Sequence, residues 1–180
     1  MKKFLFFSLF AALFMTSNAE NTVVNGVRVP SGYQGHIEYS NLFYYDGGTA
    51  MEVSTTHGFF YTNNMYVGLG IGFHVAPQDV FVPVFASAKY VFIPVAKTSP
   101  TLQIRMGSFF NEGAKPYGDL SFGLRFASDR DFAFSIQACG SFYAPFDYAS
   151  GEYDNVKQTW VDTTERINLS SVGIRLGIEW

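Results

Sequence analysis

A hydroxyl beside an imidazole is the pairing in this chain that comes nearest to chemistry. Thr55 and His57 stand two residues apart in the run Val53-Ser54-Thr55-Thr56-His57-Gly58, and on an extended backbone such a pair projects from one face. A hydroxyl oxygen attacks an ester when a neighbouring base takes its proton. The other histidines, His36 and His74, are distant in sequence, and no Ser/His/acid grouping is expected on one rim of the molecule. The pair lacks the third group that orients a base. Cys139 is the sole thiol, so it can form no intrachain disulfide, and nothing around it supplies a base. The glycines of VGLGIG have no helix-forming segment after them and are not a nucleotide loop. No catalytic residue, metal ligand or cofactor site is expected.

The remaining groups with chemistry to offer are charged and far apart. Glu38, Glu52, Asp119 and Glu179, with Lys89, Arg105, Arg125 and Arg175, each occupy the less apolar face of a segment whose other face is apolar. Ionised groups in a confined interior are costly unless they pair, so four acids against four bases predict a salt-bridged plug if these faces meet. Placed at rims in water, they would pair with nothing of consequence.

Strands are the elements that could bring them together. From Val172 the chain reads Val, Gly, Ile, Arg, Leu, Gly, Ile, Glu, Trp, a period of two that a helix would scatter around its circumference. The same alternation recurs in residues 35–44, 50–61, 65–75, 81–93, 101–110, 119–127 and 132–143. Pro83 predicts a strand end or a bulge. Each segment has about the 9 to 11 residues that a tilted strand needs to cross a bilayer. Connections at 62–64, 94–100 and 128–131 are short, and those at 111–118 and 144–166 are longer, with a tight turn near 45–48. Tight turns on the side of the termini and longer loops opposite are the habit of outer-membrane barrels.

Composition points the same way. Charged residues make up 15% of the chain, where a soluble domain has about 25%. In a soluble sandwich the second face would carry Lys, Glu and Thr; here it is mostly Gly, Ser and Ala, which suits a narrow lumen with room for small residues and a few long ones. Phe59, Tyr61, Tyr90, Phe92, Phe126, Phe132 and Trp180 at one set of ends, and Phe43, Phe73, Phe110 and Phe142 at the other, would form interfacial girdles. His57 then falls on the lipid face near the terminal side, where an amphipathic ring is at home. The expected fold is all-β, an eight-stranded antiparallel up-and-down transmembrane β-barrel over residues 35–180.

Lys2 and Lys3, the apolar run 4–15 and the small residues ending at Ala19 predict a signal peptide over residues 1–19, with 20–34 an N-terminal periplasmic segment and the cell outer membrane the destination. Losing the leader takes the net charge from −3 to about −5, which disfavours nucleic acid as a partner.

The stretches GYQGHIEYSNLFYY, VSTTHGFFYTNNMYVGLGIGFH and VPVFASAKYVF resemble the small, porin-like outer-membrane β-barrel proteins of Bacteroides-type bacteria, over roughly residues 32–127. The resemblance implies an eight-stranded barrel and carries over no activity, ligand or functional residue. The chain departs from it in the tight first connection and the Tyr-rich last one.

Three functions stay open: a closed barrel with a structural, surface-interaction or minor permeation role, a small pore for small solutes, and a lipid-modifying enzyme centred on His57. The connection 144–166 carries Phe146, Tyr148, Tyr153 and Trp160 among acidic residues and is the candidate extracellular contact loop, its partner unspecified. Ile178 and Trp180 resemble the terminal signal read by the outer-membrane assembly machinery, which with the membrane lipids completes the expected partners.

Overall fold

Strands with one apolar and one polar face can satisfy both faces in a bilayer by closing the sheet, which also removes its edges. The computed structural model of the chain describes residues 22–24, 27–45, 47–76, 80–110, 114–128, 132–143, 146–154, 159–167 and 170–180. The side chains of 22, 23, 28, 143, 146–154 and 159–167 lie outside that description, as do residues 1–21, which hold the expected signal peptide. Two short strands, β1 (Thr22–Val24) and β2 (Val27–Val29), pair as a hairpin. Then come β3 (Gly32–Tyr44), β4 (Thr49–Phe60), β5 (Met65–Val75), β6 (Val80–Val91), β7 (Thr98–Phe110), β8 (Ala114–Ala127) and β9 (Ala133–Tyr143). After β10 (Phe146–Asp154) and β11 (Thr159–Ile167), the chain ends with β12 (Ser171–Glu179).

Strands β3 to β9 pair each with the next, and β12 lies between β9 and β3, so eight antiparallel strands close into a barrel. The seam runs in register from Ser171↔Tyr44 to Glu179↔His36. Trp180 sits at one rim, here called the terminal rim, together with the turns 61–64 and 92–97 and the connection between β8 and β9; the far rim carries the turn 45–48 and the connections 76–79, 111–113 and 144–170.

Burial is inverted relative to a water-soluble protein. Arg105 and Arg175 are 0% exposed, whereas Leu69 is 72% and Met106 67% exposed. On β5 the pattern is perfectly alternate, with Met65, Val67, Leu69, Ile71, Phe73 and Val75 outward. An apolar surface of this extent is suited to lipid. Exposed aromatics stand at both ends of it, Phe59, Tyr61, Tyr90 and Phe92 toward the terminal rim and Phe43, Phe73, Phe110 and Phe142 toward the far one.

Several boundaries differ from the sequence reading. Pro83 makes neither a strand end nor a bulge: β6 and β5 keep one register on both sides of it, from Ile71↔Val84 to His74↔Phe81, and the ladder merely skips the two pairs between, because proline has no N–H to donate. β8 begins at Ala114 and keeps Pro116 opposite Ser108, so the connection read as 111–118 is far shorter; pairing with β7 overrides the local turn signals of Pro116 and Gly118. The last connection is not an irregular loop, since β10 and β11 pair from Phe146↔Ile167 to Asp154↔Thr159 in a sheet of their own.

Candidate functional site

Inward positions of the barrel wall place the eight sequence-derived charges, Glu38, Glu52, Lys89, Arg105, Asp119, Arg125, Arg175 and Glu179, in the lumen, none more than 3% exposed. Their centre is Asp119 on β8. Arg175 grips it with both terminal nitrogens, Nη1 to Oδ1 and Nη2 to Oδ2 each at 2.8 Å, a bidentate geometry that fixes both planes. Ser141 donates to Asp119 Oδ2 at 2.8 Å, and Arg105 Nε to Oδ1 at 3.2 Å. Arg105 also reaches Glu52 at 2.9 Å and Glu38 at 3.6 Å. Nearer the terminal rim, Glu179 takes Arg125 Nε at 2.7 Å on one oxygen and Lys89 on the other. Each of these eight charges thus has a partner of opposite sign, which is the condition for tolerating it in so dry a place.

Residues outside the eight complete the network, and the charge count alone does not point to them. The Tyr44 hydroxyl hydrogen-bonds His74 Nε2 at 2.6 Å, and His74 Nδ1 hydrogen-bonds Glu52 at 3.3 Å. Ser40 and Ser121 accept from Arg175, and Gln103 donates to Glu38 and Ser87. Their signal in the sequence is parity: all but His74, whose strand β5 carries no charged residue, share the inward phase of their strand with a charged neighbour.

Aromatic rings also fill the lumen, contrary to the expectation of small residues with a few long ones. Toward the far rim Tyr44, Phe81, Phe85, Phe109 and Tyr117 form one cluster with Leu42; toward the terminal rim Phe60, Tyr66 and Val91 form another. The Arg105 guanidinium lies 4.8 Å from the Phe85 ring centre, within cation–π range. The glycine alternation of β5 makes the space: a Cβ on Gly70 would fall 2.4 Å from the Phe85 ring.

Outside the barrel, Thr55 and His57 do meet. The Thr55 hydroxyl donates to the His36 carbonyl at 3.1 Å, so its oxygen can only accept from His57 Nε2, 3.1 Å away. The imidazole then carries its hydrogen on Nε2, and Nδ1 accepts from the Tyr33 hydroxyl at 2.7 Å. This one-way chain, Tyr33 to His57 to Thr55 to backbone, leaves His57 donating to Thr55 rather than taking its proton. It also satisfies the polar atoms of Thr55 and His57 on an otherwise apolar outer wall. Cys139 is buried on β9, and among the described residues no cluster of His, Cys, Asp or Glu is placed to hold a metal ion.

Ile178 faces outward, 46% exposed, and Trp180 pairs with Gly35 through two backbone bonds, at 3.0 and 3.2 Å. Of the candidate contact loop, the backbone puts Tyr153 opposite Trp160, and Phe146 and Tyr148 opposite Ile167 and Glu165; the side chains of all four lie outside the described part.

No family model and no curated protein matches the chain. Solved structures do. Neisserial surface protein A aligns with 82% of this chain and 94% of its own length, at 14% identity and a TM-score of 0.51. A major outer membrane protein of Thermus thermophilus gives 10% identity and 0.49 over 82% of this chain and 98% of its own, and the outer membrane enzyme PagL gives 9% and 0.47 over 80% and 97%. The likeness to the Neisserial protein is one of fold, that of an eight-stranded outer-membrane β-barrel.

Proposed function

We propose that this chain is an integral outer-membrane protein whose barrel is closed to solutes, and which acts as a structural element or through contacts made at its far rim. The observation that carries this reading is the lumen: the Asp119, Arg105 and Arg175 pairs cross it, with layers of aromatic rings on either side. In such barrels the rim holding the termini faces the periplasm, so the far rim with the β10–β11 hairpin faces outward. Membrane lipids cover the apolar belt, and the assembly machinery reads Ile178 and Trp180. Kinship with the porin-like barrels of Bacteroides-type bacteria rests on the three quoted stretches.

Purified protein in planar bilayers is expected to be silent; steady unitary currents would replace this reading with the small pore. Fractionation with outer membranes, with a gel mobility that changes on heating, is the expected behaviour of the cells' own protein. Deleting Ile178 to Trp180 should leave the chain unassembled, and normal insertion would remove the assembly role. A lipid-hydrolysing activity lost in His57→Ala would overturn the non-enzymatic reading; the direction of the Tyr33–His57–Thr55 chain argues against such a loss.

A further inference from the structure

Val27 and Val29 are buried, although their own sheet cannot bury them. They are 3% and 2% exposed, and Pro30 beside them is buried too. Both belong to β2, which pairs with β1 alone, and a two-stranded hairpin has no second layer to cover its faces. Val24, which ends β1, is 37% exposed. The β2 side of the hairpin therefore rests on another part of the molecule.

The connection limits which part. Pro30 and Ser31 are the only residues between β2 and β3, so the hairpin stays at the terminal rim. Gly32 opens β3 with a φ of 66°, a left-handed conformation that glycine adopts without strain and that lets the chain fold back from the strand. Among the described residues, two surfaces are within reach: the outer wall around the start of β3 and the mouth of the barrel. The wall is uncovered, since Phe59, which pairs with Tyr33, is 62% exposed and Tyr61 is 87% exposed.

The mouth is covered. Phe60 and Val91, which end β4 and β6, are 7% and 0% exposed; Ser99, second in β7, is 0% and Ala133, first in β9, is 1% exposed. These are the outermost inward positions of their strands, and an open barrel end would leave them in water. The turn 92–97 at this rim is not the cover, because its Ile93 and Val95 are themselves 49% and 48% exposed.

We propose that the β1–β2 hairpin is a built-in plug, seated with Val27, Val29 and Pro30 toward the terminal mouth. Its seat is a ring that β4, β6, β7 and β9 supply together, and no such ring exists until the sheet has closed. The hairpin therefore docks on a finished barrel and shields those strand ends. This goes beyond the closed-barrel reading, because the paired charges deeper in the lumen block it with or without the hairpin.

Thiol labelling with a membrane-impermeant maleimide, in a Cys139→Ser background, tests the plug. Ser99→Cys and Ala133→Cys are expected to react severalfold more slowly in the full chain than in one lacking residues 22–29, while Val24→Cys reacts freely. The paired substitutions Val27→Asp and Val29→Asp should release the same two sites, which keeps the test decisive if the shortened chain does not fold. Heat-modifiable mobility identifies the folded barrels. Equal rates at both sites with and without a seated hairpin, or Val29→Cys reacting as fast as Val24→Cys, overturn the plug. Planar bilayers separate the two readings: currents seen only in the shortened chain would keep the plug and overturn the self-blocked lumen.

Discussion

The ring of Trp180 lies on the backbone of Gly35. A Cβ built at position 35 would fall 2.5 Å from the Trp180 ring, and the two residues exchange both backbone bonds across the seam, at 3.0 and 3.2 Å. His57 meets the same ring edge-on, with centroids 6.1 Å apart. The terminal aromatic is thus seated on the strand that it must pair with for the barrel to close, and the seat exists because residue 35 has no side chain.

Gly35→Ala should therefore lower stability by about 1–3 kcal/mol, the usual penalty for overpacking, and reduce the fraction of protein that shows heat-modifiable mobility. In a Trp180→Ala background the same change should have little further effect. Denaturant midpoints of the two singles and the double, measured in lipid, check the coupling; equal losses in both backgrounds would disprove the seat.

Asp119 and Arg175 should respond unequally to neutralisation. Asp119→Asn leaves two guanidinium groups, Arg105 and Arg175, facing each other without their shared anion, whereas Arg175→Gln leaves Asp119 still held by Arg105 and Ser141. Breaking a buried pair from one side costs about 3–5 kcal/mol, and Asp119→Asn is expected to be the larger loss of the two. Because the pairs are buried, raising salt should change the unfolding midpoint of the unaltered protein little. Unfolding curves at low and high salt measure both points.

Gly70 and Phe85 are coupled in the same way within the lumen. Gly70→Ala drives a methyl group into the Phe85 ring, and Phe85→Ala removes a ring that packs on Arg105, which should cost about 3–5 kcal/mol. Combining Gly70→Ala with Phe85→Leu should be less harmful than the sum of the two singles. Strictly additive midpoints would mean that the two side chains do not share the space.

Parity is enough to read the wall of the barrel. Residues 65–75 alternate so regularly that the strand can be bounded to the residue, and the same phase places Glu38, Lys89 and Arg175 on the inward face. What parity does not carry is reach across the lumen. That Arg105 on β7 meets Glu52 on β4, or that Tyr44 and His74 extend the network, depends on strand tilt and on which strands face each other after closure. Local turn signals mislead wherever pairing outweighs them, as at Pro116. In the last connection, acidic residues and Gly151 interrupt the apolar alternation, so that a hairpin held by its own ladder reads as an irregular loop.

That hairpin supplies the most direct test of what the far rim does. β10 and β11 bond to each other and belong to a sheet separate from the barrel, so the barrel ladder from Ser171↔Ser141 onward does not depend on them. Replacing residues 144–169 with a short Asn-Gly-containing turn should leave outer-membrane insertion and heat-modifiable mobility intact, because hairpin closure over a short loop is the easier case. Such a barrel should lose whatever surface contact Tyr148, Tyr153 and Trp160 make, read as loss of binding by cells carrying it to the glycan or protein surfaces that cells with the full chain bind. If insertion fails, the hairpin is part of the barrel's folding unit. If insertion succeeds and surface binding is unchanged, the far-rim contact is made elsewhere, and the functional reading must move to the turn 45–48 and the connections 76–79 and 111–113.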